Sequence, residues 1–215
     1  MPRALAVLLV LLSVILFPSS ASAAGSVVLS GQGWRCTGPV DLDLVKVSSP
    51  PGDAITLAAG CTGRIGRIEV DTWTADGVKI SNVTNAAHDL VIGGGYVKCW
   101  AIQGDTHQDA VQAMGGARIT FTGVSFDCLG NSNFFVKRGG SGAGTPTDIV
   151  CVGCRFAAKS ATSVRIETSL RSGVRDSQAC VGRRVRRAFL FTTAALEPVN
   201  VGNVTLPSSD PFCAR

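Results

Sequence analysis

Three polar side chains suited to catalysis or sugar binding crowd the stretch GDTHQDAVQ, residues 104–112. His107, Asp109 and Gln112 fall within six positions, just before a Gly-Gly pair. A histidine can act as an acid or contact a sugar, and Asp109 is a candidate ligand for Ca²⁺, which prefers oxygen ligands. Gln112 is a candidate substrate contact. The alternative for Asp109 is a turn role, because an aspartate readily bonds its own backbone at the end of a loop.

A second group of chemistry-bearing residues follows about one and two sequence repeats later. Lys137 is a candidate general base, because a neighbouring cation and desolvation lower the pKa of a lysine. Arg165 supplies that cation and can hold a carboxylate with two hydrogen bonds. Phe135 offers a sugar-stacking surface, and Glu167 is a further candidate ligand for Ca²⁺. The predicted catalytic residues are therefore Lys137, Arg165 and His107.

Strand alternation predicts how these side chains lie relative to one another. Alternate residues of a strand face opposite ways. If the valines of these strands point inward, Gln112, Lys137 and Arg165 form a ladder on one outer face. The alternative is a plain solvated face, since outward charges also discourage pairing of exposed strand edges. A glycosidase would instead need two acids about 5–10 Å apart, and the nearest pair in this stretch is Asp105 and Asp109.

The elements that would position these residues are short strands. Runs of Val, Ile, Thr and Phe are separated by Gly, Asn, Asp and Ser, which is typical of strands and turns. Residues 89–99 align with 118–128, and 118–126 align with 148–156, at an offset of about 30 residues. Repeats of this length predict a solenoid of stacked parallel strands. A second strand recurs within the same units, at 109–114, 133–138 and 163–168.

The N-terminus has the form of a secretion signal. A positive start, an apolar run to Phe17 and the small-x-small site Ala21-Ser22-Ala23 predict that residues 1–23 are cleaved. The remaining residues, 24–215, are predicted to form one exported domain that is not inserted in a membrane. Removing one Arg changes the net charge from +5 to +4. A cluster of four arginines, at 183, 184, 186 and 187, is either a solvated loop or a contact for an acidic polymer.

The eight cysteines favour disulfides, because their number is even and the chain is predicted to be exported. Cys99 and Cys128 occupy equivalent positions of neighbouring repeats, and stacked strands lie about 4.8 Å apart, so these two are expected to pair. Cys36 and Cys61 are expected to close the N-terminal cap. The other four, Cys151, Cys154, Cys180 and Cys213, can pair in three ways, and the alternative of a zinc site at CVGC lacks suitably spaced partners.

With this repeat length, its glycine turns and its signal, the chain resembles the right-handed parallel β-helix proteins of the pectate-lyase-like superfamily. More narrowly it is similar to small secreted bacterial members with an HxDxxQ motif, here His107, Asp109 and Gln112. The resemblance runs from the GCTG at 60–63 to the PFC at 211–213. It implies an all-β, single-stranded β-helix of few rungs, stapled by disulfides. It also implies carbohydrate chemistry on acidic polymers, although a fold does not establish a reaction.

The sequence thus predicts a secreted, monomeric β-helix protein that acts on an extracellular polysaccharide. The first hypothesis is a lyase that cleaves a uronate-containing polymer, with Ca²⁺ as the one cofactor to consider. The second is a non-catalytic protein that uses the same face to hold a glycan. Export argues against nucleic acid as a partner.

Overall fold

The computed structural model describes residues 25–83, 85–100, 108–140, 144–157, 160–181 and 187–214. The predicted signal peptide, Asp105, His107 and three of the four clustered arginines lie outside the described residues. Of the residues described, none is helical, and none belongs to a helix that could cross a membrane. The strands, in chain order, are β1 (Gly25–Ser30), β2 (Trp34–Cys36), β3 (Pro39–Ser48), β4 (Ile55–Leu57), β5 (Thr62–Ile65), β6 (Ile68–Thr72), β7 (Val78–Ile80), β8 (His88–Gly93), β9 (Gly95–Cys99), β10 (Asp109–Ala113), β11 (Ala117–Thr122), β12 (Ser125–Cys128), β13 (Ser132–Val136), β14 (Thr147–Val152), β15 (Arg155–Phe156), β16 (Thr162–Ile166), β17 (Ser169–Leu170), β18 (Gly173–Arg175), β19 (Gln178–Cys180), β20 (Phe189–Phe191), β21 (Ala195–Leu196), β22 (Val199–Val201) and β23 (Val204–Leu206).

The strands stack in parallel into a β-helix of about 6 turns, which confirms the predicted fold class. Sheet B holds β2, β4, β7, β10, β13, β16 and β20, and the other 16 strands form the bent sheet A. One rung, meaning one turn of the helix, runs through a strand of sheet B and then through two strands of sheet A. The rung that contains β10 continues into β11 and β12, and β13 opens the next rung.

A glycine bend divides sheet A into two halves. In the first rung β3 passes through both halves, because its start pairs with β5 and its end pairs with β6. In three later rungs Gly94, Gly123 and Gly153 stand at the corner, with φ values of 32°, 64° and 63°. A residue with a side chain is strained in this left-handed region, so glycine is the residue that lets the strand turn sharply here.

The register of sheet A matches the alignment of the repeats. Val97 pairs with Phe126, and Phe126 pairs with Phe156, as the offset of about 30 residues predicts. Inside the helix these rings meet Phe121 and Phe134, and Phe126 stacks on Phe156 with centroids 5.3 Å apart and planes 9° apart. Each fully buried Phe contributes about 1.5–3 kcal/mol by leaving water, so this cluster is the centre of the core.

The structure contains three disulfides, which join Cys36 to Cys61, Cys151 to Cys154 and Cys180 to Cys213. The first is the pairing expected for the N-terminal cap. The expected bond between Cys99 and Cys128 is not formed, although the two residues pair in register. In-register neighbours send their Cβ atoms in parallel directions, about one strand spacing apart, whereas a disulfide needs Cβ atoms about 3.5–4.5 Å apart. Both residues are buried free thiols.

Candidate functional site

The outer face of sheet B carries a row of side chains with one member from each rung. Lys79, Gln112, Phe135 and Arg165 are successive partners across β7, β10, β13 and β16. Sheet B therefore brings Gln112 and Arg165 into one line, as predicted, with Phe135 between them. Lys79 joins this row although the sequence analysis had not singled it out.

Lys137 does not belong to this row, and the predicted ladder is wrong on that point. Because Val136 pairs with Ala113 and with Ile166, Lys137 follows one position later, in a second row with Met114 and Glu167. Residues two apart on a strand share a face, so a register change of two positions leaves the inside and outside pattern unchanged. The alternation of inward and outward residues therefore could not reveal this change of register.

Phe135 is not an open stacking surface, contrary to expectation. It is 4% exposed because two cations cover it. The Lys137 ammonium lies 5.1 Å from the ring centroid, and the Arg165 guanidinium lies 5.0 Å from it. Cations held over a ring are attracted by its negative face. Phe135 therefore positions both cations on the outer face and offers no ring face to a sugar.

The expected calcium ligands do not come together. Asp109 stacks on Ser132 and Thr162 at the start of sheet B, whereas Glu167 lies five residues after Thr162, about 16 Å along the strand. Glu167 forms an ion pair with Arg165. No group of three or more His, Cys, Asp or Glu suited to a metal occurs within the described parts of the chain.

The start of sheet B holds a row of aspartates that the sequence analysis missed. Asp53, Asp76 and Asp109 precede β4, precede β7 and open β10 at equivalent positions. The Asp53 carboxylate accepts the backbone N–H of Asp76 at 3.2 Å, and the Asp76 carboxylate accepts the N–H of Asp109 at 2.9 Å. Asp109 in turn accepts the N–H of Ser132. The signal for this aspartate row is the repeated DAIT, DGVK and DAVQ, in which each Asp stands two residues before an inward Ile or Val.

The carboxylate oxygens of the aspartate row are also bound by side chains of sheet B and by Asn131, which lies just before β13. Lys79 Nζ lies 3.3 Å from Asp76 Oδ2 and 3.5 Å from Asp53 Oδ2. Gln112 Nε2 donates to Asp109 Oδ2 at 3.1 Å, and Asn131 Nδ2 donates to Asp109 Oδ1 at 3.2 Å. The Asp-x-x-Lys and Asp-x-x-Gln spacings therefore tie the aspartate row to the outer face.

Burial controls the protonation of this row. Desolvation, together with the nearby Asp76 carboxylate, raises the pKa of Asp109 to about 7, although Gln112 and Asn131 oppose the shift. Burial also raises the pKa of Asp76, against the effect of the Asp109 N–H and of Lys79. Burial alone would lower the pKa of Lys79, but Asp76 and Asp53 together raise it. Asp109 therefore retains its proton up to about pH 7, while Lys79 is charged.

A cleft of about 440 Å³ lies elsewhere, at the corner between the end of sheet B and the first half of sheet A. His88 and Arg118 line it, and both contact Asp89, at 2.8 Å through His88 Nδ1 and at 2.7 Å through Arg118 Nη2. These hydrogen bonds hold the pKa of Asp89 well below its usual range. Of the predicted site residues that the structure describes, none lines this cleft.

Comparison of the chain with family models, with curated proteins and with solved structures gives no match. The resemblance to the pectate-lyase-like superfamily and to proteins with an HxDxxQ motif therefore stays a prediction. The residues that bear on function are the two outer rows of sheet B and the aspartate row that anchors Lys79 and Gln112.

Proposed function

We propose that this is a secreted, carbohydrate-binding β-helix protein that holds an acidic polysaccharide along the outer face of sheet B. The observation that carries the proposal is the line of Lys79, Gln112, Phe135 and Arg165 on four successive rungs, with Lys137 beside it. Neighbouring rungs are about 4.8 Å apart, so Lys79 and Arg165 lie about 14 Å apart and their line spans more than one sugar unit of a polymer.

The cations of this face are fixed and accessible at the same time. Lys79 is anchored by Asp53 and Asp76, while Lys137 and Arg165 are seated on Phe135. About a third of the Lys79 and Arg165 side chains remains exposed. Cations that are already ordered lose less conformational entropy on binding, and their charge complements a carboxylate polymer. The net charge, +5 for the whole sequence and +4 without the predicted signal peptide, acts in the same direction.

Binding is tested by calorimetric titration of the purified protein with polygalacturonate, alginate and hyaluronan. The expected result is binding to at least one polymer that weakens as the salt concentration rises, because screening acts on exposed charges. The double variant Lys79→Gln/Arg165→Gln should not bind the polymer. Arg171→Gln, which removes a cation from sheet A, serves as the control and should bind normally. Failure of all three polymers to bind, or full binding by the double variant, would exclude the proposal.

A second candidate function, cleavage of the same polymer, is favoured by the two cations seated on Phe135. The Lys137 ammonium lies 5.1 Å from the ring centroid and the Arg165 guanidinium lies 5.0 Å from it, so a candidate base stands beside a group that can hold a carboxylate. In the lyase version Lys137 would be the base and Arg165 would hold the uronate, with His107 as the acid.

Cleavage is tested on the same polymers, with and without Ca²⁺, by ultraviolet absorbance of unsaturated products and by new reducing ends. Unsaturated products that disappear in Lys137→Ala would establish the lyase. Reducing ends without absorbance would establish hydrolysis. Binding with neither product would leave the binding function alone.

A further inference from the structure

The outer face of β6 and β9 gathers most of the tryptophan and tyrosine of the chain. The sequence contains three Trp and one Tyr. Trp73 and Trp100 follow these two strands in register, and Tyr96 lies on β9. A single exposed aromatic residue needs no explanation, but a cluster drawn from so few residues does.

The rings are held in fixed orientations. Asp71 on β6 accepts the Tyr96 O–H at 3.1 Å and the Trp100 Nε1–H at 3.2 Å, so one carboxylate positions two rings on the neighbouring rung. The Trp73 and Trp100 rings lie 6.3 Å apart and are tilted by 34°. Trp73 is 49% exposed, although a ring of this size is stabilising when buried. The fold therefore fixes these rings while leaving apolar surface in water.

The charges around the rings are balanced. Glu69 pairs with Lys46 at 3.2 Å and with Arg67 at 2.9 Å. The Lys98 ammonium sits 4.6 Å from the Tyr96 centroid, and Lys98 is flanked in its row by Asp71 and Asp127. The three basic and three acidic side chains cancel, so they give this face no net charge that would select a charged ligand.

We propose that Trp73, Tyr96, Lys98 and Trp100, here called the aromatic platform, form a second binding site that takes the apolar face of pyranose rings in an uncharged polysaccharide. Trp73, the more exposed of the two tryptophans, stacks on a sugar ring. Lys98, whose ammonium lies 4.6 Å from the Tyr96 centroid and 5.7 Å from the Trp100 centroid, donates hydrogen bonds to the sugar hydroxyls beside it. This site is independent of sheet B, since it belongs to other strands and rests on stacking.

The test is native gel electrophoresis through gels that contain hydroxyethylcellulose, galactomannan or arabinoxylan. At least one of these uncharged polymers should retard the wild-type protein, and the retardation should persist at high salt because no ion pair is involved. Trp73→Ala should weaken binding about two- to tenfold, in line with the loss of one aromatic stacking contact. Trp34→Phe, which alters the tryptophan on β2, is the matched control and should be retarded like wild type.

Acrylamide quenching of tryptophan fluorescence in Trp34→Phe gives a second readout that does not depend on the folding of Trp73→Ala. The retarding polymer should protect the remaining tryptophans from the quencher. The proposal is overturned if none of the three uncharged polymers retards the protein, or if Trp73→Ala is retarded as strongly as wild type. Retardation that is lost in Lys79→Gln/Arg165→Gln instead would assign the binding to sheet B and would also overturn it.

Discussion

At the scale of single residues, Asp109 shows how burial changes the chemistry of an ordinary side chain. Its carboxyl is fully buried and still accepts hydrogen bonds from Gln112, Asn131 and the Ser132 backbone. A buried charge is stabilised only when it is paired or hydrogen-bonded, and here a second acid, Asp76, is the nearest charge. The side chain therefore retains its proton to about pH 7.

The protonation of Asp109 predicts a pH dependence of stability. An unfolded aspartate releases its proton near pH 3.9, whereas folded Asp109 does so at about pH 7. Between about pH 4 and pH 7 the folded chain holds the extra proton, so the free energy of unfolding falls as the pH rises, by about 1.4 kcal/mol per pH unit at most. Above pH 7 this contribution is fully lost. Denaturant titrations of wild type and Asp109→Asn across this range should show the steeper fall in wild type, whereas parallel curves would contradict the assignment.

The two free cysteines give a second prediction at the residue scale. Cys99 and Cys128 are buried, and burial raises the pKa of the Cys99 thiol well above its usual range. Thiol reagents attack the thiolate, so the folded protein should not react. In denaturant without reductant, two thiols per chain should react with an aromatic disulfide reagent. No reactive thiol under those conditions would mean that Cys99 and Cys128 are bonded after all.

At the scale of elements, the sequence of the sheet B strands predicts whether a residue faces inward or outward, but not which residue it pairs with on the neighbouring strand. Over the repeats that contain β9, β12 and β15, sheet A keeps a spacing of about 30 residues, so Phe126 and Phe156 could be paired by alignment, and they do pair. The spacing in sheet B varies from rung to rung, because the connections before its strands differ in length. Lys137 was therefore assigned to the wrong row, and the equivalence of Asp76 and Asp109 was not recognised.

Two adjacent phenylalanines of β13 give a matched pair for this element. Phe134 points inward and contacts the rings of Phe121 and Phe156, whereas Phe135 lies outside under two half-exposed cations. Phe134→Ala should cost about 3–5 kcal/mol of unfolding free energy, since it leaves a cavity in a packed core. Phe135→Ala should cost only about 1–2 kcal/mol, because the Lys and Arg side chains can settle onto the strand. Equal losses in urea titrations would contradict the inside and outside assignment of β13.

At the scale of the whole molecule, the disulfides constrain the two ends of the β-helix to different degrees. Cys36–Cys61 ties β2 to the connection before β5, and Cys180–Cys213 ties the C-terminal tail to β19. Cys151–Cys154 closes only the sharp bend between β14 and β15. The ends of a solenoid lack a neighbouring rung, so a staple that fixes an end prevents the terminal rung from unwinding.

The sequence separations of the disulfides predict how much each one stabilises the fold. The Cys180–Cys213 bond spans 33 residues, and the Cys151–Cys154 bond spans 3. A disulfide stabilises the fold by lowering the entropy of the unfolded chain, more so for a longer loop. Replacing the first pair with serines should therefore lower the free energy of unfolding by about 3–4 kcal/mol, and replacing the second pair should lower it by about 1–2 kcal/mol. Chemical denaturation of the two double variants measures the difference. A larger loss from the short loop would contradict this account of the ends.

The central claim is that the outer face of sheet B binds an acidic polysaccharide, and lysine footprinting tests it most directly. The protein is acetylated briefly with and without polygalacturonate, alginate or hyaluronan, and the modified lysines are quantified by mass spectrometry. Lys79 and Lys137 should be protected by the polymer that binds, while Lys46 on β3 should react equally in both samples. Protection of Lys46 without protection of Lys79 and Lys137, or no protection by any of the three polymers, would contradict the claim.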